Sequence, residues 1–222
     1  MVRVKICCIA SVEEAALAVR HGAAALGLVG RMPSGPGVID DPLIAEIAAS
    51  TPPSVATFLL TGETEPEAIV DHVRRCGTST VQIVDAVEPA AYRALRRAAP
   101  AVKIVQVIHV TGPGALTEAK ARAPLVDALL LDSGRPQAPI KELGGTGRVH
   151  DWSLSRRIVA EVSRPVFLAG GIRPENAAEA NRRVRPFGID LCTGVRRDGQ
   201  LDAERLRALF AALAAALAPP AP

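Results

Sequence analysis

Two residues of this 222-residue chain stand where a proton could be moved. Cys7 ends the short apolar run Val4-Lys5-Ile6, and Asp132 ends Leu129-Leu130-Leu131. A thiolate with a suitably matched pKa takes a proton, and a carboxyl group desolvated against an apolar run has its pKa raised and gives one. Taken singly, Cys7 reads as a small buried hydrophobe, and Asp132 as the cap of a turn through Ser133 and Gly134. Taken together, they read as a general base and a general acid. Cys8, next along, is expected to pack behind the strands.

Two small-residue turns could hold an anion. Gly170-Gly171 follows Leu168-Ala169, and Thr193-Gly194 follows Cys192. Glycines let backbone N–H groups approach a phosphate closely, and a following helix dipole adds attraction. Asp190, deep in an apolar run, is expected to face inward and bind a polar group. Gln82 and His109 could face the same interior, His109 as a hydrogen-bonded structural residue. Gly144-Gly145-Thr146-Gly147 reads as a lid hinge, a ligand-contacting segment or a merely flexible stretch.

These residues need elements that bring them together. Short β-rich runs near 2–7, 25–29, 55–60, 80–84, 102–108, 127–131, 166–169 and 188–192 alternate with helical patterns. The helical patterns span 12–21, 42–49, 65–76, 88–98, 114–121, 153–162, 175–184 and 202–217. Eight such βα units predict parallel strands. An open doubly wound sheet is disfavoured because Cys7-Cys8-Ile9-Ala10, not a glycine fingerprint, follows the first strand. The expectation is an α/β chain forming one (βα)8 barrel over residues 1–222, with its active site at the C-terminal ends of the strands. Long Gly- and Pro-rich loops, 30–41 and 133–150, fall on that face and read as functional lids. Ser11 and Asp151 are the expected caps of the first and sixth helices, and Pro174 opens the seventh.

Composition narrows the function. A hydrophobic content of 49% supports one sizeable core, while a formal charge of +3 and 3% aromatic residues leave few platforms for stacked bases. No nucleic-acid partner is expected. Cys7, Cys8, Cys76 and Cys192 lack paired CxxC spacing, so no metal is expected. No apolar stretch approaches the roughly 18 residues of a membrane span, and the amino terminus lacks a secretory pattern. The expectation is a cytoplasmic enzyme, monomer or homodimer, acting on a small phosphorylated molecule without a membrane partner. Arg156-Arg157 and Arg182-Arg183-Val184-Arg185 read as solvated helix faces, whereas Arg196-Arg197 could face a ligand.

The chain resembles the phosphoribosylanthranilate isomerase family of tryptophan biosynthesis over essentially its whole length. Val4-Lys5-Ile6-Cys7, His21 to Gly27, Asp127 to Ser133, Gly144 to Gly147 with Asp151 to Leu154, Leu168 to Gly171 with Pro174 to Asn176, and Val184 to Asp190 carry the resemblance. It implies a ribulose-phosphate-binding (βα)8 barrel performing an Amadori rearrangement of an aminoaldose phosphate to an aminoketose phosphate, without a cofactor. By resemblance Cys7 is the base that takes the C2 proton, and Asp132 the acid that opens the ribose ring. Gly171, with Gly170 beside it, and Thr193-Gly194 match phosphate-binding loops, and Asp190 contacts the bridging amine.

The chain also departs from the family pattern. Gly37 stands where the family has an Arg that grips the anthranilate carboxylate, and glycine cannot make that bidentate contact. Arg31, in the same loop, is the candidate replacement. Asp85 replaces a Gly and would repel a carboxylate. Cys8 and Ala10 replace Gly and Thr after the first strand, and Cys192, Thr193 and Arg196 fall in a segment that reads Ser-Ser-Gly-Val-Glu in the family. The alternatives are a paralogue acting on another phosphoribosyl amine or phosphosugar, and a non-catalytic phosphate-ligand barrel.

Overall fold

Parallel strands close into a barrel in the computed structural model, which describes residues 2–144 and 147–216. The strands are β1 (Arg3–Ile6), β2 (Ala25–Val29), β3 (Ala56–Thr61), β4 (Thr80–Ile83), β5 (Lys103–His109), β6 (Ala128–Asp132), β7 (Val166–Leu168) and β8 (Gly188–Leu191). The helices that follow them in turn are α1 (Val12–Arg20), α2 (Asp41–Ser50), α3 (Pro66–Cys76), α4 (Pro89–Ala98), α5 (Gly114–Arg122), α6 (Trp152–Glu161), α7 (Pro174–Val184) and α8 (Ala203–Ala215). Every predicted strand and helix is present, with small shifts at the ends. The predicted end of α8, at 217, lies outside the described residues.

The strands alternate because successive side chains point to opposite faces. On β1, Val4 and Ile6 face the helices, while Lys5 faces the barrel interior with Cys7 just beyond it. The outward set, including Leu26, Leu28, Leu59, Val81, Ile104, Leu129 and Leu131, packs against α1 to α8 as one core. The inward set is a second, smaller core built around Phe58, Leu60, Val105, Val107, Leu130 and Phe167. Phe58 and Phe167 meet edge to face with ring centres 5.8 Å apart and fill the lower interior. Gly188 makes room there, since a methyl group on it would lie 2.6 Å from the Phe167 ring.

Capping follows the sequence. Ser11 accepts a hydrogen bond from the Glu14 amide at 3.2 Å, and Asp151 accepts one from the Ser153 amide at 2.8 Å. Pro174 occupies the first turn of α7. A 3-10 turn, Thr193–Val195, follows β8 and leads into a small hairpin of β9 (Arg196–Arg197) and β10 (Gln200–Leu201).

Two features of this scaffold position the site. The barrel closes where β1 pairs with β8, and in that register Lys5 lies beside Asp190. The two long loops lean on each other above the strand ends: Ser34, between β2 and α2, donates to the Lys141 carbonyl, between β6 and α6, at 2.5 Å. The second loop is also pinned to itself by the Arg135 amide donating to the Glu142 carbonyl at 2.7 Å.

Candidate active site

A cavity opens at the C-terminal ends of the strands. Its floor and polar wall are Cys7, Gln82, Asp132 and Asp190, and Gly170, Gly171 and Thr193 form one side. Val29, Met32, Leu60, Val84, Leu143 and Ile172 supply apolar surface. Gly144 and Gly147 also line it, while Gly145 and Thr146 lie outside the described residues. The two long loops thus form the walls of one chamber.

Cys7 and Asp132 are both buried there, at the ends of β1 and β6, which β7 and β8 separate on the barrel wall. The Cys7 thiol is shifted below its ordinary pKa. The largest cause is a hydrogen bond from Cys8; burial opposes it, and the positive charge of Lys5 then favours the thiolate. Asp132 is shifted the other way. Burial raises its carboxyl pKa, against the Ser133 amide, which donates to Oδ1 at 2.7 Å, and against nearby His109. Opposed shifts of this kind separate a base from an acid in one pocket.

Lys5 is the residue that sequence reading left without a role. Its Nζ is completely buried and lies 2.9 Å from Asp190 Oδ1. Burial would lower the ammonium pKa, but Asp190 and the adjacent thiols outweigh that and hold the group charged. The polar partner expected for Asp190 is therefore Lys5. Gly27, opposite on β2, keeps this corner open: a methyl group on it would lie 2.7 Å from Cys7 Sγ and 2.9 Å from Lys5 Nζ. The lysine and the base share one small space that only glycine leaves free.

The remaining candidates divide. Gln82 is buried, lines the cavity and has an Oε1 with no hydrogen-bond partner among the described residues. Gly170 and Gly171 adopt left-handed backbone, with φ of 79° and 64°. A methyl group on Gly171 would meet Val149 and the Arg148 carbonyl carbon at 2.7–2.9 Å, so the turn is both closely packed and open to the cavity. Thr193 lines the cavity, but Gly194 does not. A side chain on Gly194 would run into the Ile172 carbonyl, so this glycine serves the close packing of the 3-10 turn. His109 is a structural residue, with Nε2 2.9 Å from the Val84 carbonyl.

Several expectations are corrected. Cys8 does not pack behind the strands; its φ of 61° breaks the strand alternation and turns its side chain back toward the mouth, where it lines the cavity. Arg31 is exposed and does not line the cavity, which is lined from that loop by Met32, Ser34, Gly35 and Pro36. Asp85 is held by Lys141, whose Nζ lies 2.5 Å from Oδ2, so its charge is compensated. Arg196 and Arg197 do not face the cavity. Arg196 donates to both oxygens of Glu14 and to the Cys8 carbonyl, and Arg197 pairs with Asp202 and Glu204.

Away from the mouth, Asp41, His72 and Cys76 bring possible ligand atoms within 4.8 Å of one another. Arg75 already holds Asp41 at 2.7 Å, and His72 bonds Thr61 Oγ1 at 2.9 Å. The grouping is a buried hydrogen-bonded network. No helix among the described residues is long and apolar enough to cross a membrane.

The family model for N-(5'-phosphoribosyl)anthranilate isomerase matches residues 4–212. The chain belongs to that family. It is 40% identical over 195 residues to N-(5'-phosphoribosyl)anthranilate isomerase 2 of Methanosarcina mazei, covering 87% of this chain and 85% of that protein. Among solved structures, phosphoribosyl anthranilate isomerase from Thermus thermophilus superposes with a TM-score of 0.81 at 32% identity, covering 96% of this chain and 98% of the other. A further phosphoribosyl anthranilate isomerase, solved with reduced 1-(o-carboxyphenylamino)-1-deoxyribulose 5-phosphate, matches at a TM-score of 0.78 and 27% identity, over 97% of this chain and all of that one.

The Lys5 charge beside Cys7 has a measurable consequence. Its influence on the thiol outweighs the opposing one of Asp190, so removing the pair raises the Cys7 pKa and moves the acid limb of the kcat/KM profile to higher pH. Lys5→Met/Asp190→Asn, which leaves no unpaired buried charge, should show this shift while remaining folded by circular dichroism. An acid limb that stays in place in the folded double variant would remove Lys5 from this role.

Proposed function

We propose that the chain isomerises N-(5'-phosphoribosyl)anthranilate, an aminoaldose phosphate, to the corresponding aminoketose phosphate. The observation that carries this reading is a buried cysteine and a buried aspartate lining one chamber, in surroundings that favour the thiolate of Cys7 and the protonated form of Asp132. The rearrangement needs an acid at the ring oxygen and a base at C2, and no redox partner. Protonated Asp132 gives its proton to the ribose ring oxygen as the C1–O bond breaks, and the amine lone pair forms the Schiff base. The Cys7 thiolate then removes the C2 proton, leaving an enolamine that tautomerises to the ketose. Asp190 is assigned to accept from the bridging amine while Lys5 balances its charge.

The phosphate is assigned to the side formed by Gly170, Gly171 and Thr193, which joins the loops after β7 and β8. That is the usual phosphate position of such barrels. Gln82 is assigned to a polar substrate group through its Oε1, which has no hydrogen-bond partner among the described residues. The aromatic carboxylate needs a cation, yet none of the described residues lining the chamber is cationic. Arg31, exposed and outside the lining, is the one cation of the loop 30–41 and the neighbour of Met32, and it is assigned this contact with its side chain turned inward over a bound substrate.

Cys7→Ala and Asp132→Asn should each reduce kcat by about 10²–10⁴-fold, the usual contribution of a positioned base or acid. Phosphate binding, followed by calorimetry, should persist in both. Near-normal turnover of phosphoribosylanthranilate by either variant would exclude its assigned step. For Arg31→Ala, the expected result is a KM raised by roughly 10–150-fold at similar kcat, the range of a lost charged hydrogen bond. An unchanged KM would take Arg31 out of the site.

A further inference from the structure

Cys8, Gly37, Cys192 and Arg196, four positions at which the chain leaves its family pattern, meet in one place. Cys8 Sγ lies 2.7 Å from Cys192 Sγ, although 184 positions separate them in the chain. Arg196 donates to the Cys8 carbonyl and ties that turn to Glu14, only 10% and 16% of these two side chains being exposed. Gly37, at φ 78°, leaves the space that Cys8 fills: a side chain there would collide with Cys8 Cβ and lie 3.1 Å from its sulfur. Both cysteines line the active-site chamber, as do their chain neighbours Cys7 and Thr193. The Sγ separation is short of ordinary non-bonded contact yet longer than the ~2.05 Å of a disulfide.

We infer that Cys8 and Cys192 form a reversible oxidation site that gates the adjacent base, taking a peroxide as its oxidant. Cys192, the one cysteine of the four that is not fully buried, is the point of attack. Its thiolate sulfur displaces hydroxide from the peroxide O–O bond and becomes a sulfenic acid. The Cys8 sulfur then displaces the sulfenic oxygen as water, taking up protons including its own, and the S–S bond closes. In sum, two thiols and one hydrogen peroxide give one disulfide and two waters. The bond consumes the Cys8 thiol, which in the reduced chain donates to the Pro36 carbonyl at 3.6 Å, and ties the turn after β1, next to Cys7, to the start of the 3-10 turn after β8. A thiol reductant reverses it.

The effect on activity rests on the isomerase reading, whereas formation of the bond does not. The full-length protein is treated with hydrogen peroxide, alkylated and mapped by peptide mass spectrometry, alongside Cys7→Ala and Cys192→Ser. Expected are a peptide pair joined through Cys8 and Cys192 in both wild type and Cys7→Ala, at least about a tenfold loss of wild-type turnover, and recovery with dithiothreitol. That loss is the lower part of what a positioned base contributes. Cys192→Ser, compared with itself before treatment and at a peroxide dose at which the same mapping finds Cys7 unoxidised, should keep its turnover. Treated protein with all thiols free, or a link that vanishes in Cys7→Ala, would overturn the site. A Cys192→Ser variant that loses as much turnover as wild type would overturn the gating.

Discussion

The ion pair between Lys5 and Asp190 lies on the seam where the last strand finds the first. Its register is the register of barrel closure, so the same alignment that completes the hydrogen-bonded ring also seals a positive charge below the mouth. Both groups are almost wholly buried, and removing one partner of such a pair typically costs about 3–5 kcal/mol because the other charge is stranded. The pair is poor evidence for stability in its own right. What it supplies is a fixed field beside Cys7, and an Asp190 held with one oxygen on Lys5 at the edge of the chamber.

The rest of the site is arranged around that corner by subtraction of side chains. Gly27 leaves the space that Lys5 and Cys7 share, Gly144 leaves room 2.9 Å from an Asp132 oxygen, and Gly188 leaves room for the Phe167 ring below. Phe58 and Phe167 pack together below the mouth, so the polar groups stand on a packed floor with apolar surface at their backs. That environment raises Asp132 by desolvation, while a charge and a thiol hydrogen bond lower Cys7 against the same desolvation. One low-dielectric chamber therefore yields an acid and a base, because the neighbours outweigh burial at Cys7 and fall short of it at Asp132.

Much of this was legible in the sequence, and the exceptions share a cause. The βα alternation, the two loops and the strand-end positions of Cys7 and Asp132 follow from local periodicity, which a single chain displays. Lys5 was not legible as a functional residue, because a charged residue near the start of a strand reads as a solvated end, and its partner lies 185 positions away. Cys8 was misplaced because strand alternation sends it outward, whereas a left-handed φ at the strand exit sends it inward. Arg196 reads as a ligand-facing cation until the barrel brings Glu14 to it. Gly37 reads as a lost contact, but in space it is the room into which Cys8 has moved. Each of these depends on closure or on one backbone angle, neither of which is written in local pattern.

In the closed barrel Lys5 and Cys8 lie against Cys7 and favour its thiolate, whose acidity can be measured directly. The rate of iodoacetamide labelling at Cys7, followed residue by residue by mass spectrometry across pH under reducing conditions, reports that acidity. A midpoint clearly below the ~8.5 of a free cysteine is the expected result. A midpoint at or above that value in the folded protein would contradict the account, because burial would then have won over Lys5 and Cys8.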